Sequence, residues 1–411
     1  MFKKITSFKR NISFLGIFNA FRYFKRVEKL KPVDILYSCT DNSRPILIDG
    51  KYHSPLIDSI NVKLKNYSNY TLALPFSKYS GRKSSGNTIN LNFYIIICLF
   101  RRLLSNGSTS LKNLKNDPLI KFYGYLFNKL NLKIIFGIQP SIEMCIAAKL
   151  AKIKIIDIQH GIITVDEENG YYSPKKRSQI NNKGWPDYIF CRNKQSFKEV
   201  LKLKKYTNPL IIGNLNKFFF NKIYSNKQEG NIFKTKRKTF LFTFQPVYDT
   251  ENFSRENLHH NIIFPTALLE LILSSNYNFI LKLHPSQIQN KNLFKLHMSA
   301  FNKLFSENNN VDYIISNREP FEYSLSNSDI HITFNSASLF DAYDYGLKTI
   351  LLDNNLSRLN SYYRELMISD FVIVNPDLDI DFDNHFKKTN HEEHLLNFNF
   401  KDFILENMKL C

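Results

Sequence analysis

"KIIFGIQPSIEMCIAAKLAKIKIIDIQ", residues 133–159, decides the fold class. KIIFGI (133–138) and KIIDIQ (154–159) are short, isoleucine-rich apolar runs, the composition of strands buried on both faces. SIEMCIAAKLAK (141–152), between them, reads as a helix. A strand–helix–strand unit of this kind joins parallel strands, and repetition of the unit builds a sheet covered by helices.

The rhythm continues outward in both directions. Upstream, Asp34–Ser38 reads as a strand, PLIDSINVKLK (55–65) as a helix and Thr71–Leu74 as a strand; 77–90 is a polar loop and 93–130 is helical. Downstream come the strands DYIFC (187–191) and PLIIG (209–213). Residues 216–238 are rich in Asn and Lys, lack a period and read as a linker. A second series then begins: TFLFTF (239–244), a helix over 261–274, FILKLH (279–284), a helix over 292–306, DYIIS (312–316), DIHITF (329–334), a helix over 338–345, KTILLD (348–353) and DFVIVN (370–375). At 411 residues the chain exceeds what one core usually holds. Two α/β domains are expected, at 31–220 and 236–411, with a linker at 221–235 and a basic segment at 1–30.

Composition narrows the class. Hydrophobic residues make up 43% of the chain, and the longest apolar run, FYIIICLF (93–100), is well short of the roughly 18–20 residues of a membrane span. The five cysteines lie far apart with no CxxC pair, which predicts a reduced, cytoplasmic protein without a zinc or redox site. The formal charge is +20, and residues 1–31 hold nine Lys/Arg against one acid. There Ile5, Phe8, Ile12, Leu15 and Phe18 recur at helical spacing, a basic amphipathic helix. Such a helix suits an anionic membrane surface at the inner face of the cytoplasmic membrane; it equally suits packing on its own protein with a solvated basic face. No zinc finger, RNP motif or KH loop points to nucleic acid.

In open parallel sheets ligands bind beyond the carboxyl ends of strands. Three strand ends of the second series carry polar residues: Gln245 after TFLFTF, His284-Pro285-Ser286 after the strand containing Lys282, and Asn335-Ser336-Ala337-Ser338 after DIHITF. Each alone reads as a cap or a turn; together, on successive strand ends, they suggest a ligand site. A helix starting at Ser338 would offer free N–H groups to a phosphate.

The second domain resembles the donor-binding half of GT-B glycosyltransferases. SDIHITFNSASLFDAYDYGLKTILLD (328–353) is similar to their strand, Ser-rich turn, acidic helix (here with Asp341), glycine and strand. His284-Pro285 resembles the His-Pro motif of bacterial surface-polysaccharide enzymes, the sialyl-, polysialyl- and Kdo-transferases among them. Ser336 and Ser338 resemble their serine pair with one residue inserted. In the first domain, IDIQHG (156–161) resembles the QHG strand end of the same enzymes, SRPILIDGKYH (43–53) the turn after their first strand, and PLIIGN (209–214) the last strand before their interdomain linker. The resemblance implies two Rossmann-like domains facing across a cleft, a last helix near 397–408 returning to the first domain, and a nucleotide-sugar donor held by Gln245, Lys282, His284, Pro285, Ser286, Asn335, Ser336, Ser338 and Asp341. It implies transfer to a lipid-linked or glycan acceptor, with no cofactor and no metal.

If transfer inverts the anomeric centre, a base must take the acceptor proton. His160 is one reading, Asp41 and Asp49 are others, and a structural role for His160 stands beside them. The remaining motifs read as surface features: Asp379-Ile380-Asp381, His391-Glu392-Glu393-His394 and Asp166-Glu167-Glu168. Without a P-loop or G-x-G-x-x-G, ATP-driven and nicotinamide chemistry lack their phosphate cradle. The rival expectations are a sugar-nucleotide 2-epimerase, active without acceptor, and a non-catalytic scaffold that binds no donor.

Overall fold

The computed structural model of the chain describes residues 26–40, 43–74, 85–104, 116–161, 163, 182–224, 232–245, 258–259, 262–263, 266–334, 336, 338–352, 371–375, 377–378, 382 and 398–408. Asp41, Asn335, the amphipathic residues 1–25 and the acidic motifs at 166–168, 379–381 and 391–394 lie outside them. The chain divides into two units, Met1–Phe219 with Leu395–Cys411, and Phe220–His394.

The first unit runs β1 (Ile35–Thr40), β2 (Ile46–Ile48), β3 (Lys51–His53), α1 (Pro55–Lys63), β4 (Asn69–Leu74), β5 (Thr88–Asn90), α2 (Asn92–Leu104), α3 (Pro118–Leu130), β6 (Ile134–Gly137), α4 (Ile142–Leu150), β7 (Lys154–Ile158), β8 (Tyr188–Cys191), α5 (Lys194–Leu201), β9 (Asn208–Ile211) and α6 (Leu215–Phe219). Seven strands form one parallel sheet in the order β5-β4-β1-β6-β7-β8-β9. The quoted stretch is its centre: β6, α4 and β7, with Ile134 opposite Lys154 and Gly137 opposite Asp157. The helices start where local chemistry dictates. The Asp117 carboxylate accepts from the N–H groups of Leu119 and Ile120, with Pro118 at the first helical position. Ser141 caps α4 by accepting from Met144 N–H.

The second unit runs β10 (Thr239–Thr243), the two-residue strands β11 (Leu258–His259) and β12 (Ile262–Ile263), α7 (Thr266–Ser274), β13 (Asn278–Lys282), α8 (Pro285–Gln289), α9 (Lys291–Phe305), β14 (Val311–Asp312), α10 (Ile315–Arg318), α11 (Phe321–Ser326), β15 (Ile330–Thr333), α12 (Ser338–Asp344), β16 (Lys348–Leu351) and β17 (Val372–Val374). Its parallel sheet has the order β14-β13-β10-β15-β16-β17. β10 and β13 are buried along their whole length, as strands covered on both faces must be. The glycine that closes the α12 pattern has a backbone reason. Gly346 takes φ 73, and the next N–H, of Leu347, reaches back to the Ala342 carbonyl, which ends the helix.

Four departures from expectation have local causes. The 93–130 stretch is two helices, α2 and α3. Part of the expected linker is packed structure: α6 and a turn of π-helix at Phe220–Tyr224 bury Phe219 and Phe220. DYIIS yields only a two-residue strand, because the Asp312 carboxylate accepts from the N–H groups of Ile315 and Ser316 and so opens α10. Residues 46–53 form the hairpin β2–β3, whose turn residues Asp49 and Gly50 both have positive φ, 49 and 71. Asp-Gly is the pair that such a two-residue turn demands.

The last helix, α13 (Phe400–Met408), packs in the first unit. Phe400, Phe403 and Ile404 are buried there with Phe190, and the Tyr188 hydroxyl donates to Asn407 Oδ1 at 3.1 Å. Among the described residues no helix is long and apolar enough to cross a membrane.

Candidate functional site

In the second unit the sheet order reverses at β10. The chain steps from β10 outward to β13 and β14, then returns to lay β15, β16 and β17 on the other side. The crevice at the carboxyl ends of β10 and β15 is therefore the topological switch point, the place where open parallel sheets bind ligands. β10 delivers Thr243 and Gln245 there, β15 leads into Ser336 and Ser338, and β13 brings His284 to the flank.

The turn after β15 is built on a buried polar network that the sequence reading missed. His331, on β15, is fully buried. Its Nε2 lies 3.0 Å from Thr243 Oγ1 and 3.3 Å from Ser338 Oγ, and its Nδ1 lies 3.0 Å from Thr349 Oγ1. Burial pushes its pKa down to about 3, so the ring is neutral. A neutral imidazole has one N–H and one lone pair, and hydroxyls match either. The imidazole thus ties the start of α12 to the end of β10. The Ser336 hydroxyl accepts from the Ser338 N–H at 3.2 Å. Asp341 lies in the first turn of α12, partly buried.

The His-Pro pair has a structural explanation. His284 is the residue before α8 and Pro285 its first residue, where a missing N–H costs nothing. The His284 carbonyl accepts from the N–H groups of Gln287 and Ile288. The Gln287 side chain returns to accept from the His284 N–H at 2.8 Å, the reciprocal half of a capping box. Buried Gln287 also donates through Nε2 toward the Gln245 carbonyl at 3.4 Å and toward His297 Nε2 at 3.2 Å. Nδ1 of His297 faces the Leu293 carbonyl at 2.7 Å. A carbonyl can only accept, so the His297 proton sits on Nδ1 and Nε2 is the acceptor for Gln287. This chain locks the ends of β13 and β10 together. His284 itself is half-buried, and desolvation lowers its pKa below the ordinary histidine value. The imidazole is therefore neutral near pH 7. Ser286 lies in α8, directly after Pro285.

Lys282 departs from its expected role. Its ammonium donates to the backbone carbonyls of Ser316 and Glu319, 2.6 Å for the latter, closing the end of α10. The side chain is buried, and desolvation brings its pKa down to about 8. The strand ends at Lys282 and the chain turns before His284, so the alternation that would place residues two apart on one face does not extend to His284.

In the first unit the order reverses at β1, between β4 and β6. Gln159, beyond β7, acts as a bracket. Its Nε2 donates to the Gly161 carbonyl and to Ser196 Oγ, both at 2.8 Å, and its Oε1 accepts from Arg192 N–H at 2.8 Å. This holds the QHG turn in place and leaves His160 exposed at its tip. The surrounding protein lowers the pKa of His160 through desolvation, so the ring is a neutral proton acceptor near pH 7. Exposed Asp49, by contrast, is occupied as the hairpin's turn residue. Among the described residues no group of His, Cys, Asp and Glu has the arrangement of a metal site.

No protein-family model matches the chain, and no curated protein sequence does. In structure the chain is similar to the UDP-GlcNAc 2-epimerase from Methanocaldococcus jannaschii, with TM-score 0.53 and 13% identity over 93% of this chain and 100% of that one. It is also similar to the wall teichoic acid polymerase TagF soaked with CDPG, with TM-score 0.51 and 12% identity over 93% of this chain and 91% of that one. A further UDP-N-acetylglucosamine 2-epimerase matches with TM-score 0.51 and 12% identity over 85% of each chain. The protein is an α/β protein of GT-B fold with two Rossmann-like units.

Proposed function

We propose that the protein is a nucleotide-sugar-dependent glycosyltransferase of cell-surface polysaccharide synthesis, with the donor held by the second unit. The observation that carries this reading is the switch point between β10 and β15. There the Ser336 and Ser338 hydroxyls stand on a rigid buried base, with the neutral imidazole of His284 on the flanking strand end. Transfer needs the departing nucleotide phosphate stabilised as its charge grows, and preorganised hydrogen-bond donors do this without a metal. Gln245, Pro285 and Ser286 follow the same strand ends, Asp341 lies in the first turn of α12, and Asn335 precedes Ser336 in the sequence. Lys282 contributes through the fold and not through the phosphate. The first unit supplies the group that accepts the proton of a lipid-linked or glycan acceptor; His160, at its strand end, is one histidine of that unit able to take it. The basic segment 1–30 fits an anionic membrane surface.

The fold neighbours include epimerases as well as a polymerase, so a sugar-nucleotide 2-epimerase is the second reading. It differs in one measurable way: an epimerase converts its donor with no acceptor present. The first experiment is thermal unfolding with UDP, GDP, CMP and dTDP. A nucleotide at about 100 times its Kd stabilises the native state by about 2.7 kcal/mol. Stabilisation by none of the four would refute a nucleotide-sugar site; stabilisation followed by acceptor-free conversion would favour the epimerase.

A further inference from the structure

A histidine–carboxylate dyad stands in the first unit, where His53 closes the SRPILIDGKYH stretch (43–53) and has no role assigned above. His53 ends β3, and Asp58 lies one turn into α1. The two side chains meet at 2.8 Å, His53 Nδ1 to Asp58 Oδ2. The same carboxylate oxygen accepts from the Ser85 hydroxyl at 2.8 Å. An ionised carboxylate can only accept, so the proton between the two side chains is on His53 Nδ1, and in the neutral ring the lone pair is on Nε2. Among the described residues Nε2 has no hydrogen-bond partner; the ring's other described contact is with Phe219, whose centroid lies 5.9 Å away. The two side chains keep 17% and 14% of their exposure.

Placement gives the dyad a use. The hairpin β2–β3 leaves the carboxyl end of β1, to which Thr40 and Arg44 tie it: Thr40 Oγ1 lies 3.2 Å from Ser43 Oγ, and Arg44 reaches the Cys39 carbonyl at 3.5 Å. α1 then carries the chain back toward the start of β4, so it begins on the carboxyl side of the sheet. β1 is also the strand at which the sheet order reverses. The dyad therefore belongs to the connection that leaves the carboxyl end of β1, the strand at which the sheet order reverses.

We infer that His53, held by Asp58, is the general base that activates the acceptor hydroxyl, and this rests on the transferase reading. In the step, His53 Nε2 takes the proton of a sugar or polyol O–H. The freed oxygen pair forms the new bond to the anomeric carbon, and the bond from that carbon to the nucleotide phosphate breaks, its electron pair leaving on the phosphate oxygen. Asp58 is a positioning residue: it holds the tautomer and balances the imidazolium that forms, the relation between base and orienting carboxylate known from other nucleophile-activating dyads. His160 is then not the base.

The test measures nucleotide release from UDP-N-acetylglucosamine, UDP-glucose, GDP-mannose, dTDP-glucose and CMP-N-acetylneuraminate, with glycerol and methyl glycosides as hydroxyl acceptors, on the full chain. His53→Gln lowers kcat by about 10²–10⁴-fold, the usual worth of a positioned base, while donor Kd and the thermal midpoint hold. Asp58→Asn lowers kcat by about tenfold or more with KM for donor unchanged, and imidazole added to His53→Ala restores part of the rate. Full kcat in His53→Gln, or a loss confined to His160→Gln, overturns the assignment and leaves the dyad as a hairpin staple. A loss that follows a lowered thermal midpoint and is not rescued by imidazole overturns it as well. No release by the unaltered chain from any of the five donors sinks the transferase reading itself.

Discussion

Acid should weaken the second unit through a single buried ring. His331 is fully buried with its pKa pushed down to about 3, against about 6.5 in an unfolded chain. The folded protein favours the neutral ring, so the unfolded state binds the proton first as pH falls. The contribution of His331 is whole above about pH 6.5 and is lost progressively as pH falls toward 3. Between pH 7 and pH 4.5 linkage gives a loss of about 2.5 kcal/mol from this group alone, as an order of magnitude. Structurally, imidazolium would carry a second N–H into a site where Thr243, Ser338 and Thr349 hydroxyls already meet the ring. The variant His331→Gln removes the titration. It costs stability at pH 7, by about 1–3 kcal/mol for disturbed buried hydrogen bonds. The gap between parent and variant should nevertheless close or reverse by pH 4.5. Urea unfolding at both pH values, read by a probe within the second unit, gives the two slopes. His284 and His297 also have lowered pKa values through desolvation and add the same sign of dependence, so the difference between the two proteins is the decisive quantity. Parallel pH profiles for parent and His331→Gln, or an NMR titration of His331 near pH 6.5, would refute the reasoning.

Other expectations follow from single contacts. His284→Ala should cut transfer by roughly 10²-fold or more with little change in folding, the scale of losing one preorganised donor to developing charge; unchanged turnover would make it a helix-capping residue only. Gln287→Leu removes the acceptor of His284 N–H and the donor to His297. It should cost about 1–3 kcal/mol and weaken nucleotide-induced stabilisation, and unaltered nucleotide affinity would show that the capping box does not shape the site. Lys282→Met leaves two carbonyls without their donor and should cost stability by a similar about 1–3 kcal/mol while sparing nucleotide affinity; the reverse pattern would return Lys282 to the phosphate. Deleting residues 1–26 should release the protein from phosphatidylserine vesicles and leave nucleotide binding intact, with salt having the same releasing effect, since surface charge is screened beyond roughly 8–10 Å. Misfolding of the truncated chain would instead place that segment in the protein's own packing.

Much of the architecture was legible because periodicity is local. The run Thr239–Thr243 announces a doubly covered strand in five consecutive residues, all of them buried. Asn278–Lys282, Ile330–Thr333 and the 133–159 unit read the same way. The strand ends could therefore be located, and with them Gln245, His284, Ser336 and Ser338. Short elements were harder. The two strands of the β2–β3 hairpin are too short for a period to show, and its signal is the Asp49-Gly50 turn. Asp312 redirected a strand-like sequence into a helix by capping it. At the His-Pro turn the local signal is Gln287, three residues after His284, the spacing of a capping box.

By itself, then, the sequence determined that this protein alternates buried strands with amphipathic helices in two series, and which polar residues follow each strand. The tertiary structure alone decided which strand ends are neighbours, and so where each sheet reverses. It also turned Lys282 onto backbone carbonyls, placed His331 under Ser338 and brought His53 against Asp58. The physical reason is range. A strand's burial pattern is written in adjacent residues and survives wherever the strand goes. A hydrogen bond is made only within about 3 Å, between groups whose meeting depends on strand order, crossover and side-chain direction. Thr243 and Ser338 are far apart along the chain and share one imidazole because β10 and β15 lie side by side.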